Sequence, residues 1–191
     1  MGRVPKGVIR FLTREEAARL IEELPEHLAD IAEFSLLTGL RKSNVVGLQW
    51  SRVDLVRRMA FIESIDSKNS DAFPVPLSME AMEVIRRQIG QHDTHLFTYK
   101  GRPVNQVNTK AFRAALKRAG IENFRWHDLR HTWASWHLQG GTSEAALKAM
   151  GAWKSDEMVR RYAHLGGDHL LEHADNIRFR PEPTKKIHLV K

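Results

Sequence analysis

Apolar residues in this chain recur at helical spacing in short windows, and each window is closed by a glycine or a proline. That punctuation predicts many short helices packed on one another. In "FLTREEAARLIEEL", Thr13 is placed as an N-cap with Glu16 three positions on, a capping box, and Ala17, Leu20, Ile21 and Leu24 form the apolar stripe. Pro25 separates this helix from "EHLADIAEFSLLTG", where Leu28, Ile31, Ala32, Ser35 and Leu36 share a face and Gly39 is the stop. A short helix is expected to begin near Ser43, and another to run from Ser78 to about Ile89. "NTKAFRAALKRAGI" reads as a helix ended by Gly120, residues 123–141 as one ended by Gly140-Gly141, and "SEAALKAM" as one closed by Gly151. "SDEMVRRYAHL" follows with Ser155 as N-cap, and a last helix near "DHLLEHADNI" precedes a polar tail.

Residues 53–77 have a different texture. Apolar, β-favouring clusters are broken by polar turns, which predicts two or three short antiparallel strands with "SKNSD" as a turn. Pro74 and Pro76 push the last of them to an edge. "HLFTYKGRPVN" reads as a small extended excursion around Lys100-Gly101. The fold class expected is α+β, mostly α-helical, with a small three-stranded antiparallel sheet. No strand–helix–strand alternation, G-x-G-x-x-G or G-x-x-x-x-G-K-[ST] occurs, so no nucleotide-cofactor loop is expected.

At 191 residues, 42% hydrophobic and 28% charged, the chain suits one folded domain with at most an extension. It lacks an apolar run of membrane-spanning length, and its start has no signal-peptide h-region, so a cytoplasmic setting without a membrane partner is expected. Zero cysteines exclude disulfides, thiolate metal sites and a cysteine nucleophile. Lys and Arg number 30 against 23 Asp and Glu, a formal charge of +7. That balance favours a polyanionic partner.

Chemistry concentrates in "NFRWHDLRHTWASWHLQGG", residues 123–141. His127 and His131 are four apart, a spacing at which two imidazoles on a helix can share a metal ion, although Asp128 stands where H-E-x-x-H has glutamate. The bland alternative is a histidine packed between helices. Arg130 carries a planar fork that matches phosphate oxygens. Arg41, in "LLTGLRKSN", sits where one helix stops and the next begins, a place that also favours anions. Each arginine alone would be read as a solvated surface residue. Tyr99 and Tyr162 are the only tyrosines; Tyr99 reads as a packed hairpin aromatic, and Tyr162 lies beside two arginines and a histidine that could assist an otherwise poor nucleophile.

"TGLRKSNVVGLQW", "SK", "HDLRHTWAS" and "MGAWKSDEMVRRYAHL" occur in that order. Together they resemble the catalytic domain of the tyrosine recombinases, the phage-integrase family, over about residues 11–175. The family pattern maps onto Arg41, Lys68, His127, Arg130, Trp153 and Tyr162, with Trp153 nine residues before Tyr162. Asn44 stands where many members have glutamate, Trp153 replaces the commoner histidine, and Ala152 precedes it, so a different local turn is expected there. The implied organisation is a catalytic domain over residues 1–177 and a C-terminal tail over 178–191, with the family's N-terminal core-binding domain absent from this chain.

The resemblance implies DNA strand cleavage and rejoining through a 3′-phosphotyrosyl intermediate, without metal or other cofactor. Tyr162 would be the nucleophile. Arg41 and Arg130 would hold the non-bridging phosphate oxygens, and Lys68 would protonate the leaving oxygen. His127 would accept the tyrosyl proton or bond a phosphate oxygen, and Trp153 could donate only through its indole N–H. Asp128 would orient His127 or a nearby backbone group, and His131 has no proton task assigned. Lys42, Arg113 and Lys117 are candidates for DNA phosphate contacts. The expected partner is double-stranded DNA, with the full-length protein tetrameric on it and this chain alone monomeric. The alternatives are a DNA-binding module that does not cleave, a type IB topoisomerase-like enzyme, and a metal-dependent hydrolase built on His127 and His131.

Overall fold

A computed structural model describes residues 10–63, 72–153 and 155–162. Lys68 and the "SKNSD" turn lie outside the described residues, as do the helix expected near "DHLLEHADNI", the tail and the proposed boundary at residue 177. Helix α1 (Arg14–Glu23) starts at the expected capping box: the Thr13 hydroxyl accepts from Glu16 N, and the Glu16 carboxylate accepts from Thr13 N. Helix α2 (Glu26–Thr38) is the hub of the core, packing against α1, α4 (Met79–Arg87) and α6 (Asp128–Gln139). It buries Leu28, Ile31, Ala32, Phe34 and Leu36, and hides two hydroxyls by returning them to its own carbonyls, Ser35 to Ile31 and Thr38 to Phe34, each at 2.7 Å.

The sheet is three-stranded and antiparallel in the order β1 (Val53–Asp54), β2 (Met59–Glu63), β3 (Ala72–Pro76). Ala60, Ile62 and Val75 face the core, and Pro74 and Pro76 do sit on an edge strand. The excursion around Lys100-Gly101 is a second, two-stranded hairpin, β4 (Thr98–Tyr99) with β5 (Arg102–Pro103), and both turn residues take positive φ. Helices α3 (Lys42–Val46), α5 (Lys110–Arg118), α7 (Glu144–Met150) and α8 (Asp156–Arg160), with a 3-10 turn at Trp50–Arg52, complete the described elements.

Helix α3 begins at Lys42, beside the expected start near Ser43, so Arg41 is its N-cap. One helix start differs from expectation. Residues 123–127 are not part of α6: Asn123 has φ 54°, and the buried Asp128 carboxylate accepts from Arg125 N at 2.8 Å, which turns the chain before the helix begins. The periodicity of this stretch continues through the turn, because Phe124 and Trp126 are buried without being helical.

Gly39 closes α2 in the left-handed region at φ 63°, as its position after the stripe predicts, and it also has a second duty. A Cβ placed there would lie 2.2 Å from the indole of Trp133 on α6. Gly39→Ala should therefore destabilise the fold by about 3 kcal/mol, combining left-handed strain with overpacking. A urea unfolding midpoint close to that of the parent would show that α2 and α6 do not meet this tightly.

Candidate active site

The site forms where α6 crosses the ends of α2 and α7. Arg130 is on the first turn of α6, 7% exposed, and its guanidinium is fixed from two sides. One Nη donates to the Gly39 carbonyl at the end of α2, and the other donates to the Gly151 carbonyl at the end of α7, the latter at 2.6 Å. The plane also lies over the Trp153 ring, 4.8 Å from its centroid. Burial, and secondly the charge of Arg41, lower the pKa of Arg130 to about 10, so it remains charged at neutral pH.

Arg41 is exposed at the N-cap of α3, and its charge is felt by both Arg130 and His127. His127 occupies the N-cap of α6 and is exposed. Partial packing of its ring is the main cause that holds its pKa below the ordinary imidazole value, with Arg130, Arg125 and Arg41 acting in the same direction. Arg41 from the start of α3 and His127 and Arg130 from the start of α6 thus share one cationic field. Asp128, whose carboxylate accepts from the backbone and side chain of Arg125, opposes this field at His127 without cancelling it.

Tyr162 follows α8 and is 3% exposed. It belongs to a small hydrophobic cluster with Trp133, Ala134, Leu138, Leu147 and Val159, separate from the main core. Trp153 stacks on it, with ring centroids 5.8 Å apart and planes 23° apart. The Tyr162 hydroxyl hydrogen-bonds Nδ1 of His131. Burial pushes the phenol up to about 12 despite the nearby Arg130 and Arg161.

The structure therefore brings Arg41, His127, Arg130, Trp153 and Tyr162 to one region. Lys42, Arg113 and Lys117 are exposed; Arg113 and Lys117 line a groove that continues along Gly120 to Arg125. His131 is the residue that sequence reasoning left without a task. Nothing local marks it, because its partner is 31 positions away. Among the described residues no group of three or more His, Asp or Glu side chains is arranged to hold a metal ion.

The turn before Trp153 carries the departure at Ala152. Helix α7 ends in a Schellman arrangement, with Ala152 N donating to Ala149 O and Trp153 N donating to Lys148 O. Its left-handed position, φ 47°, is filled by Ala152 and not by glycine. Ala152→Gly should stabilise the fold by about 0.5–1 kcal/mol, the relief of strain exceeding the extra freedom of the unfolded chain. A lower thermal midpoint in that variant would contradict the strain.

Residues 10–169 match the phage integrase family. Over 182 residues the chain is 48% identical to the integrase of Salmonella phage P22, a match that covers 88% of this chain and 47% of that protein. It is 28% identical to the shufflon-specific DNA recombinase of Escherichia coli over 97% of its length and 47% of the relative's. The chain thus spans about half the length of these curated relatives. Its fold resembles the catalytic domain of bacteriophage HP1 integrase, with a TM-score of 0.66 and 27% identity over 88% of this chain and 95% of that one. The Tn1549 transposon integrase, solved with a circular intermediate DNA, shares the fold with a TM-score of 0.74 over 91% of this chain and 67% of that one, at 17% identity. On the extent of the family match and its likeness to the P22 protein, the chain belongs to the phage integrase family, the tyrosine recombinases.

Proposed function

We propose that this chain is the catalytic part of a site-specific DNA recombinase that breaks and rejoins strands through Tyr162. The observation that carries this reading is the convergence of Arg41, Arg130 and His127 in one cationic field, with the Tyr162 phenol 5.8 Å or less, ring to ring, from both Trp153 and His131. Double-stranded DNA supplies the phosphodiester, and the +7 charge of the chain favours its approach. Lys42, Arg113 and Lys117 contact neighbouring phosphates in this reading.

The chemistry follows from the residue types. Arg130 spends two donors on carbonyls and has others left for a non-bridging oxygen, while Arg41 serves the second oxygen. Trp153 helps to hold Arg130 through its ring face and can give one indole N–H to a phosphate oxygen. Tyr162 attacks phosphorus, forming a 3′-phosphotyrosyl bond as the 5′-oxygen leaves, and Lys68 supplies the proton to that oxygen. The new ester retains the energy of the broken one, so neither ATP nor metal is needed. Exchange between two duplexes breaks four strands with one tyrosine per chain, so the full-length protein acts as a tetramer on DNA, in the cytoplasm, and this chain is a monomer alone.

Tyr162 must be uncovered before it can attack. Among its described residues, α8 buries only Val159, so little apolar area holds the helix and the adjoining tyrosine in place. The reading is tested by trapping. A pool of nicked duplexes of random sequence is incubated with the protein in excess chelator, and DNA that partitions with protein after denaturation is sequenced. Recovery of a duplex joined by its 3′-phosphate to Tyr162 is expected. Failure to recover any adduct, with binding of the same pool intact, would favour a DNA-binding module without cleavage.

A further inference from the structure

The acidic neighbour of His127 spends its carboxylate on a different residue, Arg125. The Asp128 side chain is 4% exposed, and the Arg125 side chain that it holds is 78% exposed. Nε of Arg125 donates to Oδ2 at 3.4 Å, and Nη2 donates to Oδ1 at 3.2 Å. The backbones are joined as well: Arg125 N donates to Oδ2 at 2.8 Å, and Asp128 N donates to Arg125 O at 2.9 Å. Phe124 and Trp126, both buried, pin the chain on either side. Closing the turn ahead of α6 takes only the backbone bonds. The bonds to the guanidinium aim a head group that stands in solvent.

The grip of Asp128 uses one edge of that head. The donors left are both on Nη1 and one on Nη2. They form the end-on fork that matches two oxygens of one phosphate. The hydrogen bond to Asp128 raises the pKa of Arg125 above its already high ordinary value, so the charge is permanent.

Position supplies the rest. Arg125 is two residues ahead of His127, and its charge is felt there. It also lines the groove with Arg113 and Lys117, where three cations face one acid, Glu122. Arg125 therefore belongs both to the rim of the site and to the groove that leads away from it. Arg41 and Arg130 take the non-bridging oxygens of the scissile phosphate in the recombinase reading above, on which this inference rests. We propose that Arg125, aimed by the buried Asp128, clamps the backbone phosphate next to the scissile one and so sets the register of the strand across the site. Arg125 is then a substrate-binding residue and Asp128 a positioning residue. Such a contact places the strand without reading its sequence.

The experiment has two parts. In the first, binding to the pool of random duplexes is measured against salt for the parent, Arg125→Gln, Arg125→Lys and Asp128→Asn, with circular dichroism melts to identify folded variants. Arg125→Gln should lower the slope of log affinity against log salt by about 1 and weaken binding evenly across sequences. Arg125→Lys should keep the parental slope. An unchanged slope in Arg125→Gln means that Arg125 meets no phosphate, and overturns the proposal. Asp128→Asn removes a negative charge and leaves an amide oxygen for Arg125 N. It should bind the pool at least as tightly as the parent and yet form adduct on the order of 10-fold more slowly, because the head is no longer aimed. Arg125→Lys, which keeps the charge without the fork, should be slowed likewise. A parental rate in either folded variant would overturn the aiming.

The second part uses a nicked duplex recovered by the trapping above, with single phosphates replaced in turn by neutral methylphosphonate. At the phosphate next to the scissile one the parent should lose affinity, and Arg125→Gln should lose nothing further. Coupling at the scissile phosphate itself, or at none, overturns the proposal. A parent that binds DNA but forms no adduct on any duplex brings down the recombinase reading, and the salt slope alone then decides whether Arg125 meets a phosphate.

Discussion

Tyr162→Phe should abolish the covalent protein–DNA adduct while leaving DNA affinity within about twofold of the parent. The substitution removes one oxygen and keeps the ring. Tyr162 is 3% exposed and packs with Trp153, Trp133, Leu147 and Val159, and all of those apolar contacts remain available to phenylalanine. What is lost is the hydrogen bond to His131, whose Nδ1 is then left without the hydroxyl. Losing a bond of this kind costs about 1 kcal/mol, so the fold should survive. The effect on chemistry has no such ceiling, because no phosphotyrosyl bond can form without the oxygen. Tyr99 offers no substitute: it lies on the β4–β5 hairpin, stacked on His27 at 4.0 Å. The measurement is denaturing electrophoresis of a labelled nicked duplex after incubation with each protein. An adduct that persists in Tyr162→Phe would move the nucleophile elsewhere and remove the basis for the catalytic assignment.

Much of the architecture was legible because local signals and tertiary packing agree. Thr13, Ser78, Thr109 and Ser143 each accept from the backbone at the start of a helix, and Gly39 stops α2 where the stripe ends. Pro74 and Pro76 placed β3 at an edge because proline cannot donate to a central ladder. The start of α6 was hidden because Phe124 and Trp126 are apolar at a plausible spacing, while the turn depends on a carboxylate reaching back to Arg125 N. At the end of α7 the left-handed residue is alanine, which carries none of the signal that glycine would.

The site was legible in a different way. The identities of Arg41, His127, Arg130, Trp153 and Tyr162 followed from the ordered family resemblance, and none would have followed from spacing alone. The pairing of His131 with Tyr162 stayed hidden because it joins α6 to the chain beyond α8, and only the packing of the small cluster around Trp133 brings them together. The anchoring of α6 from behind was equally invisible. Leu12 N donates to the Thr132 hydroxyl at 3.1 Å, and the Trp136 indole donates to Leu12 O at 2.9 Å. The short segment ahead of α1 thereby fixes the helix that carries Arg130 and His131.

Arg130→Ala should cost both stability and chemistry, and the two losses can be separated. The guanidinium joins three elements, since it sits on α6 and donates to carbonyls at the ends of α2 and α7. Hydrogen bonds to a charged group are worth about 1.5–3 kcal/mol each, and removing the donor leaves two carbonyls in a buried pocket, so a loss of about 3 kcal/mol in unfolding free energy is expected. Trp153 also loses the cation over its ring face. Because Gly151 O is one of the two acceptors, the end of α7 loosens, and with it the turn that places Trp153 against Tyr162. Adduct formation should fall on the order of 100-fold or more even under conditions where the variant is fully folded, as for the loss of any donor to a charge that develops in the transition state. Arg130→Lys tests the geometry, because an ammonium keeps the charge but lacks the planar fork that reaches both carbonyls. It should recover less of the stability than an isosteric partner would and remain well below the parent in rate. Added guanidinium at low concentration should partly restore cleavage by Arg130→Ala, since the pocket between Gly39, Gly151 and Trp153 would then be vacant and shaped for that ion. Stability is read from urea unfolding followed by circular dichroism, and rate from single-turnover trapping on the same duplex. A folded Arg130→Ala protein that cleaved at the parental rate would mean that the buried arginine is a structural clasp and that phosphate is held elsewhere.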